Sequence, residues 1–381
     1  MAAKVYLPVV LKTADSFTST GQKFWHHPEA LKGLQNGHPR PVVTHLMPTD
    51  ICQHTCAFCS VQTREGNILD LSEMTGYLDQ LVPLGLKAVI ISGGGNPILY
   101  KKGEADFNDL VNEVFDRGLE IGVITNGMPL KDYRGRKSYK TVTPETLDKL
   151  TWLRISMSGL DHKENEVFVP DVDPNHTTLG FSYVYHDIYE VPEEPNHGKV
   201  STEEDLLRFS VQPLNVRTAE SRFDTLTGQI REIVEKHHPS YVRLLPNCLE
   251  PEKITNRCND LQRMANLIDP KTVFVQYKPP EGPKACYLGY LHPVLNSDGY
   301  VYPCDSCVLN KAAGHKFAEP WRICHWSKIG QIYNEPSRSL IKDPRKQCPG
   351  CVFTKSNELL IAVKEGMEIP EPEPVTHPNF I

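Results

Sequence analysis

From Pro41 onward the chain alternates short apolar runs with amphipathic stretches, and that rhythm restricts the fold more than any other feature. Val42–Met47, Ala88–Ile91, Glu120–Ile124 and Trp152–Met157 read as buried strands. Between them lie helical patterns at Leu71–Leu84, with Asp70 or Ser72 as N-cap, and at Glu104–Arg117, closed by Gly118. Thr143-Pro144 opens a further helix running to Leu150. Strand–helix–strand units of this length favour right-handed crossovers and a parallel sheet. Loops at the C-terminal ends of such strands share one face, where these folds place their chemistry.

The rhythm breaks at about 161–205, an acidic, proline-bearing segment (Asp171, Asp173, Glu193, Glu194) with one strand-like piece, Leu179–Tyr185. It is either an insertion acting as a lid or a solvated excursion. Strand signals return at Leu207–Gln212 and Tyr241–Leu245, flanking a helix over Arg222–His237. After about residue 270, hairpin-like pieces and cysteines take over, which marks a second, smaller domain. The expected division is an N-terminal extension at 1–40, a core at 41–250, a small domain at 251–365 and a flexible tail at 366–381.

Eleven cysteines stand in the 381 residues, an odd number with no export signal, which argues against a disulfide framework. Cys52, Cys56 and Cys59 fall on one loop after the first strand, and the last six lie between 286 and 351. Clustering of this kind serves thiolate-ligated metals, because several sulfurs must converge on one point. Three thiolates on one loop can hold three irons of a [4Fe–4S] cube and leave the fourth open. A zinc site completed by His54, or unligated thiols, are the other readings of the spacing.

C-x₃-C-x-x-C with Phe58 before the last cysteine resembles the signature of the radical S-adenosylmethionine (SAM) enzymes. The resemblance extends over about 41–250. Ile91-Ser92-Gly93-Gly94-Gly95-Asn96-Pro97 resembles that family's glycine loop, which helps hold the methionine amino group of SAM. Asn96 departs from the glutamate common there, so an amide oxygen would accept the ammonium's bond without a charge. Thr125-Asn126-Gly127 resembles the usual third-strand ending, and Ser156 and Ser158 occupy the fourth-strand positions that meet SAM's carboxylate or ribose. The resemblance implies a partial (β/α)6 barrel in an α/β fold, a SAM-binding [4Fe–4S] cluster and an external one-electron donor of flavodoxin or ferredoxin type. It also implies SAM chelated at the open iron, whose reductive cleavage yields a 5′-deoxyadenosyl radical that abstracts hydrogen from a substrate.

The second group is Cys286 and Cys304, flanking a turn at Asn296-Ser297-Asp298-Gly299, with Cys348-Pro349-Gly350-Cys351 further on. A hairpin brings its flanking cysteines together, and a C-x₂-C knuckle supplies two more ligands. Four thiolates make a closed site, and the pattern resembles the Twitch form of the SPASM domain, which carries one auxiliary [4Fe–4S] cluster. Four-thiolate zinc is the alternative. Cys307 and Cys324 have no place in a one-cluster pattern, and Cys248 and Cys258 read as buried small side chains.

Three substrate readings follow from the resemblance. The favoured one is net oxidation or rearrangement of a small sugar- or cyclitol-like molecule, with the auxiliary cluster taking the second electron. A peptide-modifying maturase and a nucleotide cyclase of the molybdopterin-pathway type are the others, and a structural iron–sulfur or zinc protein is the non-enzymatic reading. Arg243 and Asn247, at the end of the sixth strand, either face the substrate or cap the strand. The fifteen histidines read as structural or surface groups. A formal charge of −6 argues against a broad nucleic-acid surface, and no apolar run approaches a membrane span. A cytoplasmic protein acting on a small molecule is expected.

Overall fold

The computed structural model describes residues 16–18, 21–38, 40–56, 58–59, 64–127, 142–162, 165–186, 219–247, 250–277, 284–305, 321–335 and 353–381. The elements that position the site are, in chain order, α1 (Pro28–Asn36), β1 (Val43–Leu46), α2 (Leu71–Leu81), β2 (Ala88–Ile91), α3 (Phe107–Asp116), β3 (Glu120–Thr125), α4 (Pro144–Leu147), β4 (Trp152–Ser156), β5 (Thr178–Tyr185), α5 (Ala219–His237), β6 (Tyr241–Pro246), α6 (Ile254–Ile268) and β7 (Val273–Val275). They are followed by β8 (Val294–Leu295), β9 (Tyr300–Tyr302), β10 (Cys324–His325), α7 (Ile329–Asn334) and α8 (Thr354–Lys364). The expected strand at Leu207–Gln212 and much of the 161–205 segment lie outside the described residues.

Strands β1 to β7 pair in sequence order, all parallel, and form the curved sheet of a partial barrel. Side-chain caps start helices that separate them, and α3 begins at Phe107 rather than at Glu104. Asp106 accepts from the backbone N–H of Asn108 and Asp109 at the start of α3, and Thr143 accepts from Thr146 at α4. Six of the strands are those the sequence predicts. The βα alternation runs one unit past residue 250, because α6 buries Leu261, Met264 and Ala265 and β7 pairs with β6.

The C-terminal hairpin does not build a sheet of its own. β8 pairs parallel with β1, β9 pairs antiparallel with β8, and β10 with β9, giving one ten-stranded sheet. The turn at Asn296–Gly299 forms as expected, with Gly299 in the left-handed region at φ 78°.

Both flanks of the core pack against it. Residues 21–38 are helical and packed, with Phe24, Leu31 and Leu34 buried in the core. Their signals are Pro28 in the first turn of α1 and Gly37 beyond its last, at φ 77°. Residues 366–381 are not a free tail either. Phe380 and Ile381 are buried, Phe380 packs edge-on against Trp152, and Asn379 Nδ2 donates to Glu120 Oε1 at 2.7 Å. Lys364 Nζ donates to the carbonyls of Leu34 and Gln35, tying α8 to the end of α1. Since Glu120 and Thr178 begin β3 and β5, the tail closes the N-terminal mouth of the barrel.

His377 anchors that closure through Nε2 and Thr178 Oγ1, 2.9 Å apart. Burial, with a smaller contribution from Lys23, pulls its imidazole down to about 4. A released tail would titrate near 6.5, so between those values the released form binds the extra proton. The ring's contribution is therefore full above about pH 6.5 and is lost as pH falls toward 4. Urea midpoints at pH 7 and pH 5 should differ less in His377→Gln than in wild type; equal differences would remove His377 from the acid response.

Candidate active site: a cysteine loop clamped over the barrel mouth

The cysteine loop leaves β1 through Met47 and Pro48, and both of its ends are fixed. Thr49 bridges to Ile68, the Asp50 N–H donates to the Asn67 carbonyl, and Asp50 Oδ2 accepts from the Glu65 N–H at 3.0 Å. The glycine loop after β2 then holds the entry strand from the side. Gly95 N–H donates to the Thr49 carbonyl at 3.2 Å, and Asn96 N–H to the Ile51 carbonyl at 2.8 Å. The approach is close enough to require glycine: a Cβ on Gly95 would lie 2.0 Å from the Ile51 carbonyl oxygen. Thus the glycine run both forms a strand-end loop and locks the backbone that leads into Cys52.

Each of the three sulfurs has a side-chain nitrogen beside it, and Cys52 also takes backbone N–H groups of His54 and Gln53. Asn126 Nδ2 donates to Cys52 Sγ at 3.8 Å, and Arg64 Nη2 donates to Cys59 Sγ at 3.7 Å. His162 Nε2 lies 3.3 Å from Cys56 Sγ, where its N–H tautomer donates to the sulfur. Burial pushes the Cys52 and Cys56 thiols up, so these sulfurs ionise readily only against positive charge. A donor at each sulfur and an iron-type counter-charge are what a thiolate-bound cluster uses, since hydrogen bonds to sulfur tune such centres. The donor set therefore fits a cluster carried by this loop.

Asn96 is held by the protein on both sides of its amide. It is only 2% exposed. Oδ1 accepts from Thr125 Oγ1 at 2.8 Å and, at 3.4 Å, from the Ile98 N–H, while Nδ2 donates to Asn126 Oδ1 at 2.8 Å. Gln53 Nε2 donates to the same Asn126 oxygen at 2.8 Å. Asn96, Asn126 and Gln53 thus form one amide network joining the glycine loop, the end of β3 and the cysteine loop. Its output is the Asn126 N–H aimed at Cys52. Gly93, Gly94, Ser156 and Ser158 stand on the same rim; Ser158 is buried and Ser156 half-buried.

Two of the histidines pack at this loop. His54 and His162 stack with ring centroids 4.0 Å apart, and burial followed by His162 pulls His54 down to about 3, so it stays neutral. His54, Cys56 and His162 bring ligand atoms within 4.8 Å of one another, a trio that zinc would also accept. Phe58 lies 5.2 Å from the ring of His186. Behind it, Asp161 Oδ1 accepts from Tyr183 Oη at 2.6 Å and from Arg222 Nη2 at 2.9 Å. No sequence pattern announced these partners, because they come from β5, α5 and the turn after β4.

The second cysteine group is described in part. Cys286 is buried and Cys304 half-buried, whereas Cys348, Cys351, Cys307 and Cys248 lie outside the described residues. The flanks of the described pair converge: a Cβ on Gly289 would meet Pro303 Cα at 3.2 Å, and the Tyr287 N–H donates to Asn357 Oδ1 of α8 at 2.8 Å. Cys324 stands apart in the core on β10, where burial raises its thiol to about 12. Cys258 is half-buried on α6 rather than fully enclosed. Asn247 caps its strand end, donating to Glu250 Oε2 at 3.0 Å. Arg243, in contrast, faces a cavity inside the barrel.

Residues 46–159 match the family model described as the Radical SAM superfamily. The chain is 30% identical over 115 residues to an S-adenosylmethionine-dependent nucleotide dehydratase of Selenomonas ruminantium, a stretch covering 30% of this chain and 38% of that protein. Among solved structures, it resembles Streptococcus suis SuiB bound to S-adenosylmethionine, at 14% identity, TM-score 0.49, 81% of this chain and 69% of that one. It also resembles native anSMEcpe with bound AdoMet and Cp18Cys peptide, at 14% identity, TM-score 0.46, 86% of this chain and 100% of that one. Among the described residues, no helix is long and apolar enough to cross a membrane.

Proposed function

We propose that this chain, whose residues 46–159 match the Radical SAM superfamily model, cleaves SAM reductively and oxidises or rearranges a small polar substrate. Cys52, Cys56 and Cys59 are the residues that would hold the SAM-binding [4Fe–4S] cluster. The observation that carries this assignment is the nitrogen donor facing each of the three sulfurs on a loop clamped by Gly95 and Asn96. Bound together, the reduced cluster and SAM supply the 5′-deoxyadenosyl radical that takes a hydrogen atom from the substrate.

The chain's own residues do the positioning. Gly93, Gly94 and Gly95 present backbone where SAM's amino group would lie, and Ser156 and Ser158 offer hydroxyls from the neighbouring strand end. Phe58 covers the loop beside His186. Asn96 acts through Asn126, fixing the donor to Cys52 rather than touching SAM itself. Cys286, Cys304, Cys348 and Cys351 are proposed to hold an auxiliary [4Fe–4S] cluster, which would accept the second electron of an oxidation. Its support is the convergence of the Cys286 and Cys304 flanks with the start of α8. A nucleotide substrate is the second reading, favoured by the identity to a nucleotide dehydratase over 115 residues.

Iron, sulfide and zinc content of anaerobically purified protein, with 5′-deoxyadenosine formation from SAM and dithionite, tests this. About eight irons and eight sulfides per chain are expected, with product formed. About four irons with one zinc would remove the auxiliary cluster and its oxidative role. Zinc alone, without 5′-deoxyadenosine, would overturn the reading.

A further inference from the structure

The barrel interior is built in layers, and one layer is unusual. Trp152 and Tyr241 fill the lower level because their neighbours across the sheet are glycines: a Cβ on Gly122 or Gly180 would lie 2.1 Å from the respective ring. Phe17 stacks on Tyr241 with centroids 4.5 Å apart, and Phe380 packs on Trp152, so an aromatic floor seals this end. Above the floor is a cavity of about 130 Å³ whose polar wall includes Arg154, Arg243, Gln276, His45 and His292.

Among the described residues, the two guanidiniums hydrogen-bond only to neutral groups. Arg154 Nε donates to Tyr241 Oη at 2.8 Å and its Nη2 to the Phe17 carbonyl at 2.9 Å. Arg243 Nη1 donates to Gln276 Oε1 at 3.0 Å, and its Nε is buried without a partner. Among the described residues, neither forms an ion pair with a carboxylate. Asp305 lines the same cavity at longer range, and Lys23 on its far side is balanced in part by Glu120. The histidines add no charge, since burial lowers both His45 and His292. Burial first, and Arg154 second, depress Arg243 to about 9. Two like charges enclosed without a paired counter-ion are costly, and an oxyanion between them would offset that cost through charge-assisted bonds.

We propose that this cavity seats an anionic group of the substrate, a phosphate or carboxylate gripped by Arg154 and Arg243. The inference rests on the radical SAM reading, and its position suits that reading. Ile124 lines the cavity and lies two residues before Asn126, which faces Cys52, a rise of roughly 7 Å along a strand. Arg154 likewise precedes Ser156 by two positions on β4. An anion at this depth would anchor the substrate's far end and leave its C–H bonds near the cysteine loop. The substrate class is thus a small polar molecule bearing an oxyanion, which a phosphorylated polyol and a nucleotide both satisfy.

The probes are inorganic phosphate and acetate, titrated anaerobically into the cluster-loaded protein by calorimetry. Saturable phosphate binding is expected, weakened about tenfold or more in Arg154→Gln and in Arg243→Gln. Arg243→Lys keeps the charge without the fork and should lose less than Arg243→Gln; it also serves if the glutamine variant loses iron or structure. Acetate binding with the same arginine dependence, and none of phosphate, would keep the anion seat and assign a carboxylate. Absence of both, or binding unchanged in the glutamine variants, overturns the proposal. Wild-type SAM cleavage without anion binding would sink the seat alone. Anion binding without SAM cleavage would sink the radical reading alone.

Discussion

Replacing Cys52, Cys56 and Cys59 together by alanine is expected to abolish 5′-deoxyadenosine formation while leaving about half of the iron in place. No other cysteine stands at the loop among the described residues: they lie on β10, on α6 or beside the C-terminal hairpin. The fold should survive, because the loop's two ends are held by backbone contacts at Thr49, Asp50, Gly95 and Asn96 that no cysteine makes. Loss of the sulfurs therefore separates the cofactor from the scaffold. Iron per chain and 5′-deoxyadenosine yield would be measured on matched anaerobic preparations. Residual product above that of protein-free controls, or unchanged iron, would place the SAM-binding cluster elsewhere.

Phe380→Ala should produce the largest stability loss of any single substitution considered, about 3 kcal/mol from removing a buried aromatic ring. Phe380 is 3% exposed and lies edge-on to Trp152, with ring centroids 5.2 Å apart. The surroundings cannot collapse easily into the gap. Trp152 already sits hard against Gly122, and the tail backbone is pinned by Asn379 to Glu120. Urea denaturation monitored by far-ultraviolet circular dichroism would report the change. A loss below about 1 kcal/mol would mean that the tail detaches locally and adds little to the barrel.

Much of the core was legible because its information is local. The strand Ala88–Ile91 is observed with the predicted bounds, and Trp152, Tyr183 and Tyr241 fall on the predicted strands. Apolar β-formers bounded by glycine, proline and capping residues specify these elements without reference to distant chain. The positions of Cys52, Cys56, Cys59 and the glycine run were readable for the same reason, each following directly from its strand. The hydrogen bonds of Asn96 were not legible, because its partners, Thr125 and Asn126, lie about thirty residues away in sequence and one strand away in space.

His162 and Arg154 show the same limit. Nothing in the order of residues says that a histidine just past β4 will meet Cys56, or that an arginine within β4 will face inward beside Arg243 from β6. Those meetings depend on sheet register and curvature, which alternate side chains between lumen and helix layer. The closure of the barrel mouth by residues 377–381, and the pairing of β8 with β1, join segments separated by some two hundred residues or more. By itself, the sequence determined the βα alternation, the cysteine loop and the likeness to a radical SAM core, because spacing along the chain encodes them. Only the tertiary structure decided which side-chain nitrogen faces each sulfur, what fills the lumen and where Arg154 and Arg243 converge, because those follow from distances through space.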